Sequence, residues 1–211
     1  MRDTLYIVGT GEIPDYQSAS EFEGEKSYFA ANNNMPWASY KNKITRVEIG
    51  EGITSIGNAS FQDFVNLRTC TLPKSISRIG YGAFCGCKQL RTINDDVRLY
   101  IGASVIEGYA FYGCQSVWGC TTGAKIGNFA FARSSLNYLN ISSQDIGKKA
   151  FWGCDLRWIH IHSLEPPHLL DSNPFGKLER KEKIELTIRK GTRKFYKTFP
   201  WNKMKIKVSD Y

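Results

Sequence analysis

Short runs of alternating apolar and polar residues return along the middle of the chain at a nearly constant interval. Three of the clearest are Ile44-Thr-Arg-Val-Glu-Ile49, Leu136-Asn-Tyr-Leu-Asn-Ile141 and Leu156-Arg-Trp-Ile-His-Ile161. Period-two alternation over so few residues predicts a half-buried strand. Between the runs lies a second recurring phrase, Ile-x-x-x-(Ala/Ser)-Phe, in five copies: Ile56–Phe61, Ile79–Phe84, Ile106–Phe111, Ile126–Phe131 and Ile146–Phe151. Their phenylalanines stand 23, 27, 20 and 20 residues apart, and an aliphatic residue follows each after five or six positions (Leu67, Leu90, Val117, Leu136, Leu156).

Self-similarity at this period predicts a solenoid, in which each coil buries its apolar face only against its neighbours. One strand per coil, always at the same place, stacks into a parallel sheet with neighbours about 4.8 Å apart. The second half of a coil, as in Ile76-Ser-Arg-Ile79-Gly80, alternates more briefly and turns at the glycine. The (Ala/Ser)-Phe pair then fits a short turn or helical bend with the ring plugging the core. The expected fold is therefore mainly β with short helical turns: a solenoid of about five coils, a parallel sheet, and a cap at each end.

The repeat is written most fully as Leu67-Arg-Thr-Cys-Thr-Leu72-Pro73-Lys-Ser-Ile76-Ser-Arg-Ile79-Gly80-Tyr-Gly-Ala83-Phe84-Cys-Gly86-Cys87. In this form it closely resembles the BspA-like leucine-rich repeat, and the likeness covers roughly residues 44 to 162. Pro36-Trp37 resembles the leading segment of Bacteroidetes members. Pro166-Pro167, Phe175, Leu186-x-Ile188, Gly191, Tyr196, Trp201 and Ile206 resemble the usual closing cap. Two departures stand out: Arg189 follows Ile188 where Val-Pro is usual, and extra residues between Leu90 and Ile106 leave the register of the third coil open. The resemblance implies a leucine-rich solenoid that is secreted or held at the surface of a Bacteroides-like bacterium and takes part in adhesion or protein binding.

A chain of 211 residues can bury a proper core as one domain. We read residues 1–211 as a single domain, with 1–43 an N-terminal cap, 44–162 the repeats and 163–211 a basic C-terminal cap. No apolar run reaches the length of a membrane span, and Met1-Arg-Asp-Thr-Leu-Tyr-Ile-Val reads as a strand and not as the core of a signal peptide. The family resemblance implies a mature secreted or cell-surface chain bearing an added start methionine.

Charge is uneven. Residues 1–175 balance 16 basic against 16 acidic side chains, whereas 176–211 hold 12 basic and 4 acidic, which is the whole formal charge of +8. Such a tail suits an anionic polymer or simply a solvated edge strand whose lysines discourage pairing. No motif for specific nucleic-acid recognition accompanies it.

Candidate chemistry is thin. Cys87, Cys114 and Cys154 each follow their coil's phenylalanine by three residues, while Cys70 and Cys120 take the inward strand slot held by Val47, Ile93, Leu139 and Ile159 elsewhere. Repeat positions of this kind favour free buried thiols, although stacking brings Cys87 and Cys114 near enough to leave a bridge open. His160 and His162 share a strand face, with His168 not far on, but two imidazoles are too few to fix a metal geometry. Gly9-Thr-Gly11 lacks the lysine and following helix of a phosphate loop. Neither a nucleophile motif nor a carboxylate pair stands out, so the expectation is no enzyme, no metal and no cofactor.

What remains is a surface. The outward positions run Arg46 and Glu48, Thr69 and Thr71, Thr92 and Asn94, Gly119 and Thr121, Tyr138 and Asn140, Trp158 and His160. The second half is aromatic, and Tyr138, Asn140, Arg157, Trp158 and His160 form the candidate ligand-binding set, provided the C-terminal cap does not cover Trp158. Exposed aromatics beside polar groups suit protein hot spots and sugar stacking alike. The expected partner is a host protein or glycan. The competing expectations are a structural spacer and anionic-polymer binding by the basic cap.

Overall fold

The computed structural model describes residues 3–16, 34–94, 97–171, 173–176, 184–198 and 200–209. Among these residues two parallel sheets are stacked back to back along one solenoid. The longer sheet uses the first half of each coil and has ten strands. In sheet order they are β1 (Thr4–Ile7), β3 (Arg46–Ile49), β5 (Thr69–Thr71), β7 (Thr92–Ile93), β8 (Leu99–Ile101), β10 (Gly119–Thr122), β12 (Tyr138–Ile141), β14 (Trp158–Ile161), β16 (Glu185–Arg189) and β17 (Lys205–Ser209).

The shorter sheet has seven strands, mostly of two residues. It runs from β2 (Gly11–Glu12) through β4 (Ile53–Ile56), β6 (Arg78–Ile79), β9 (Val105–Ile106), β11 (Lys125–Ile126) and β13 (Asp145–Ile146) to β15 (His168–Leu169). Alternation alone predicts the first sheet. The second comes from runs too short to show a period, and it forms because each coil lays its Ile over that of the coil before: Ile56 on Ile79, Ile79 on Ile106, Ile106 on Ile126, Ile126 on Ile146.

Register follows the inward column. Val47, Cys70, Ile93, Leu99, Cys120, Leu139, Ile159 and Leu186 align in turn across the longer sheet, each at most 2% exposed. The extra residues of the third coil add a strand. β8 inserts between β7 and β10, pairing Ile93 with Leu99 on one side and Leu99 with Cys120 on the other. This changes the expected outward stripe at the third coil, where Thr92 is buried (8% exposed). Asn94 leaves the sheet in a left-handed conformation (φ 56°), and its Oδ1 accepts the Leu72 amide at 2.7 Å. Tyr100 of β8, 53% exposed, points outward beside Thr121 instead.

The phenylalanines form one continuous column. Phe61, Phe84, Phe111, Phe131, Phe151 and Phe175 stack face to face with centroids 5.1–5.7 Å apart. Trp37 stacks on Phe61 at one end and donates its Nε1 hydrogen to the Ser60 carbonyl at 2.8 Å. Trp201 closes the other end, edge-on to Phe175.

Each ring is held by its own backbone. The amide of Phe84 bonds the Ala110 carbonyl of the next coil, and Phe111 with Ala130 and Phe131 with Ala150 do the same. The Phe151 amide continues the series to Pro174, so Pro174-Phe175 makes a sixth coil where the sequence shows five copies of the phrase. The alanine must be small because it is fully enclosed: Ala83, Ala110, Ala130 and Ala150 are all 0% exposed.

The cysteine column has a matching account. Cys87 Sγ donates to the Phe61 carbonyl, Cys114 Sγ to that of Phe84 and Cys154 Sγ to that of Phe131, at 3.0–3.2 Å. A thiol fills a methyl-sized space there and still satisfies a buried carbonyl. All six cysteines are free, so Cys87 and Cys114 are not bridged.

On the shorter sheet Arg78 ties three coils and the N-terminal segment together. Its Nε and Nη2 grip the two Glu107 oxygens at 2.9 and 3.1 Å, Nη2 also reaches Asn58 Oδ1 at 2.8 Å, and Nη1 lies 3.3 Å from Asp15.

Candidate functional site

The outward face of the longer sheet changes character along the solenoid. On the early coils Arg46 and Glu48 pair with each other at 2.7 Å, and threonines follow. From β8 onward aromatic side chains gather. Tyr138 is their centre: His160 lies 5.3 Å from it on one side and Trp118 6.1 Å on another, both tilted, and Trp158 is its direct register partner on β14.

Gly119 separates β8 from β12 on this face. A Cβ there would sit 3.3 Å from the Arg98 Cβ and 3.5 Å from a Tyr138 ring carbon. With only hydrogen at that position, the Arg98 guanidinium reaches over to lie 5.4 Å from the Tyr138 ring centroid. Trp118 is fixed as well, by donating its Nε1 hydrogen to the Val97 carbonyl. Arg98 and Trp118 are thus each tied to a neighbour on this face.

The five sequence candidates fall as follows. Tyr138, Asn140, Trp158 and His160 occupy adjacent positions of two paired strands, with Tyr138 opposite Trp158 and Asn140 opposite His160. Arg157 precedes β14, is exposed, and lies 4.0 Å from Asp155. Trp158 is 41% exposed. The C-terminal strands do not cover it, because β16 pairs beside β14 edge to edge, placing Glu185 next to Trp158. Glu185 is itself bound to Lys207 at 2.7 Å.

Burial against the sheet, together with the neighbouring His162, holds the His160 imidazole below its ordinary pKa, and Glu185 opposes this only in part. His168 is elsewhere: it lies on the shorter sheet, 3.5 Å from Asp145. Among the described residues no group of three or more His, Cys, Asp or Glu side chains is placed to hold a metal ion.

Sequence reasoning missed three members of the patch. Tyr100 arrives on the inserted strand and Arg98 just before it, and the sequence left that strand's register open. Trp118 had a usable signal, since it precedes β10 as Arg157 precedes β14, and Arg157 was included.

Comparison with known proteins agrees with this geometry. A profile of the BspA type leucine-rich repeat region matches in six copies, over residues 37–157 and 104–188. The chain belongs to the BspA-type leucine-rich repeat family. Among solved structures, the pneumococcal vaccine antigen PcpA superposes with a TM-score of 0.57 at 17% identity, over 79% of this chain and 42% of that one. A leucine-rich repeat protein from Eubacterium ventriosum gives 0.47 at 20% identity, over 90% and 40%. One from Bacteroides ovatus gives 0.40 at 19%, over 79% and 60%. The chain therefore spans less than two thirds of each of these proteins, and at such identities the likeness is one of fold. No curated protein matches it.

The six matched copies of the BspA-type repeat agree with the six stacked rings, the last being Phe175. BspA-type leucine-rich repeat regions are typically binding modules. No helix among the described residues is long and apolar enough to cross a membrane.

Proposed function

We propose that this BspA-type solenoid is a non-enzymatic recognition module of a secreted or surface protein, binding a host protein or glycan through the aromatic half of its longer sheet. The observation that carries the reading is the arrangement around Tyr138. Arg98, Trp118, Trp158 and His160 surround it from three neighbouring strands and their margins, and Trp118 and Trp158 remain 39% and 41% exposed. A core fold has no need to leave two tryptophans in water. Aromatic and arginine side chains on a rigid sheet are the groups that dominate interface energies, and prior ordering limits the entropy lost on binding.

The test is binding to an array of matrix proteins and glycans at low and high salt, with a Tyr138→Ala/Trp158→Ala variant of confirmed fold beside the parent. Salt-resistant binding that falls by about 2 kcal/mol or more in the variant is the expected result for hot-spot residues. Binding that ignores the variant removes the sheet face from consideration, and silence across the array favours the spacer role.

A further inference from the structure

We propose that the turn after β16 is a second, separate binding site, for an anionic polysaccharide carrying sulfate or phosphate groups. Five cations, Arg189, Lys190, Arg193, Lys194 and Lys197, project from it, and all are exposed. Among the described residues none of the five is paired with a carboxylate. Residues 176–211 as a whole hold 12 basic and 4 acidic side chains, so this stretch of the sequence carries an excess of positive charge.

The turn is built to hold its shape. Gly191 takes a left-handed conformation (φ 84°) that returns the chain. Thr192, 3% exposed, then closes the turn by donating both its amide and its Oγ1 hydrogen to the Arg189 carbonyl, at 3.2 and 2.7 Å. Four residues on, Tyr196 is driven into the core at 1% exposed, edge-on to Trp201 at 5.6 Å. Between these two anchors the backbone makes a short 3-10 turn, Arg193–Phe195. Lysines that only solubilise an edge need no such scaffold; here the cations are displayed on a braced loop.

The chemistry of the display selects the ligand class. The cations line no buried polar socket, so they suit a repeating polyanion better than one small ion. Two are arginines, whose planar forks match the oxygens of sulfate and phosphate. The one exposed ring of the turn, Phe195 at 43%, already carries the Lys194 ammonium 5.0 Å from its centroid. A single ring occupied in this way is a poor wedge for a bilayer and a poor platform for stacked bases. Attraction here is therefore charge-dominated, which favours a polysaccharide.

The experiment measures affinity for a heparin oligosaccharide and for a phosphorylated mannan at several salt concentrations. Phosphatidylserine-containing vesicles and single-stranded DNA serve as competing probes. One variant carries Arg189→Gln, Lys190→Gln, Arg193→Gln and Lys194→Gln. A control loses the same charge elsewhere, through Lys43→Gln, Lys74→Gln, Lys88→Gln and Lys148→Gln, and circular dichroism confirms that both fold. Expected is salt-sensitive binding of at least one polymer, weakened about tenfold or more in the turn variant and less than about threefold in the control, since local contacts and not net charge set the affinity. Equal losses in the two variants, or no polymer binding at low salt, overturns the proposal. So does binding of vesicles that is at least as tight and is abolished by Phe195→Ala, or tighter binding of DNA. Neither polymer contacts Tyr138 or Trp158 in this scheme, so failure here leaves the sheet-face reading untouched.

Discussion

Arg98 and Tyr138, forty residues apart in sequence, meet across a single missing side chain: the guanidinium lies 5.4 Å from the ring centroid because Gly119 stands between their strands. Replacing Gly119 with valine should therefore separate the pair. Valine favours a strand, so thermal stability should change by no more than about 1 kcal/mol in either direction. Binding to any sheet-face ligand should weaken together with a change in tyrosine fluorescence. Unchanged binding with a demonstrably altered Tyr138 environment would show that this contact is structural only.

Two glycines at different positions of the repeat should respond differently. A Cβ on Gly147 would lie 2.4 and 2.5 Å from the backbone of Gly127 and Asn128 in the coil before it, so Gly147→Ala must push two coils apart. We expect a loss of about 2–4 kcal/mol, within the range of overpacking and backbone displacement. At Gly113 a Cβ meets nothing within 4 Å, and only the left-handed conformation (φ 69°) opposes it. Gly113→Ala should lose about 1 kcal/mol. Denaturant melts of the two variants check the order.

The thiols should be silent in the folded protein. Burial pushes the Cys85 and Cys154 thiols up to about 12, and raises Cys70, Cys87, Cys114 and Cys120 well above the ordinary thiol range. At neutral pH almost no thiolate forms, and the thiolate is the reactive species. A chromogenic disulfide reagent at pH 8 should report close to zero sulfhydryls natively and six after unfolding. Rapid native reaction of any of the five buried thiols, or fewer than six on unfolding without reductant, would contradict the free column, whose half-buried member is Cys154.

His160 gives a pH signature of known sign. Its folded pKa lies below the ordinary 6.5, so the unfolded chain takes up its proton first as pH falls. Stability from this group is complete above pH 6.5 and declines as pH drops from there through the depressed folded value. The imidazole is partly open to solvent, so the effect is small. A His160→Asn variant should flatten the melting temperature between pH 7 and pH 5 relative to the parent, and a directly observed His160 titration at or above 6.5 would remove the premise.

Much of this was written locally. The period of the phenylalanines, the alternation in each first half-coil and the small residue before each ring sufficed for a parallel solenoid, because a repeated apolar pattern has only its own neighbours to pack against. The cysteine positions, and Tyr138, Asn140, Trp158 and His160 on one face of the longer sheet with Arg157 just before β14, were legible for the same reason. Tertiary structure decided what depends on contacts between coils. It turned two-residue runs into a second sheet, made Pro174-Phe175 a sixth coil without the repeat's wording, and inserted β8 with Arg98 and Tyr100 where Asn94 had been expected. It also left Trp158 beside β16 and not beneath it. A sequence states which face of a strand is apolar; which strand lies next to it, and how much of the other face is left to solvent, is settled only when the coils stack.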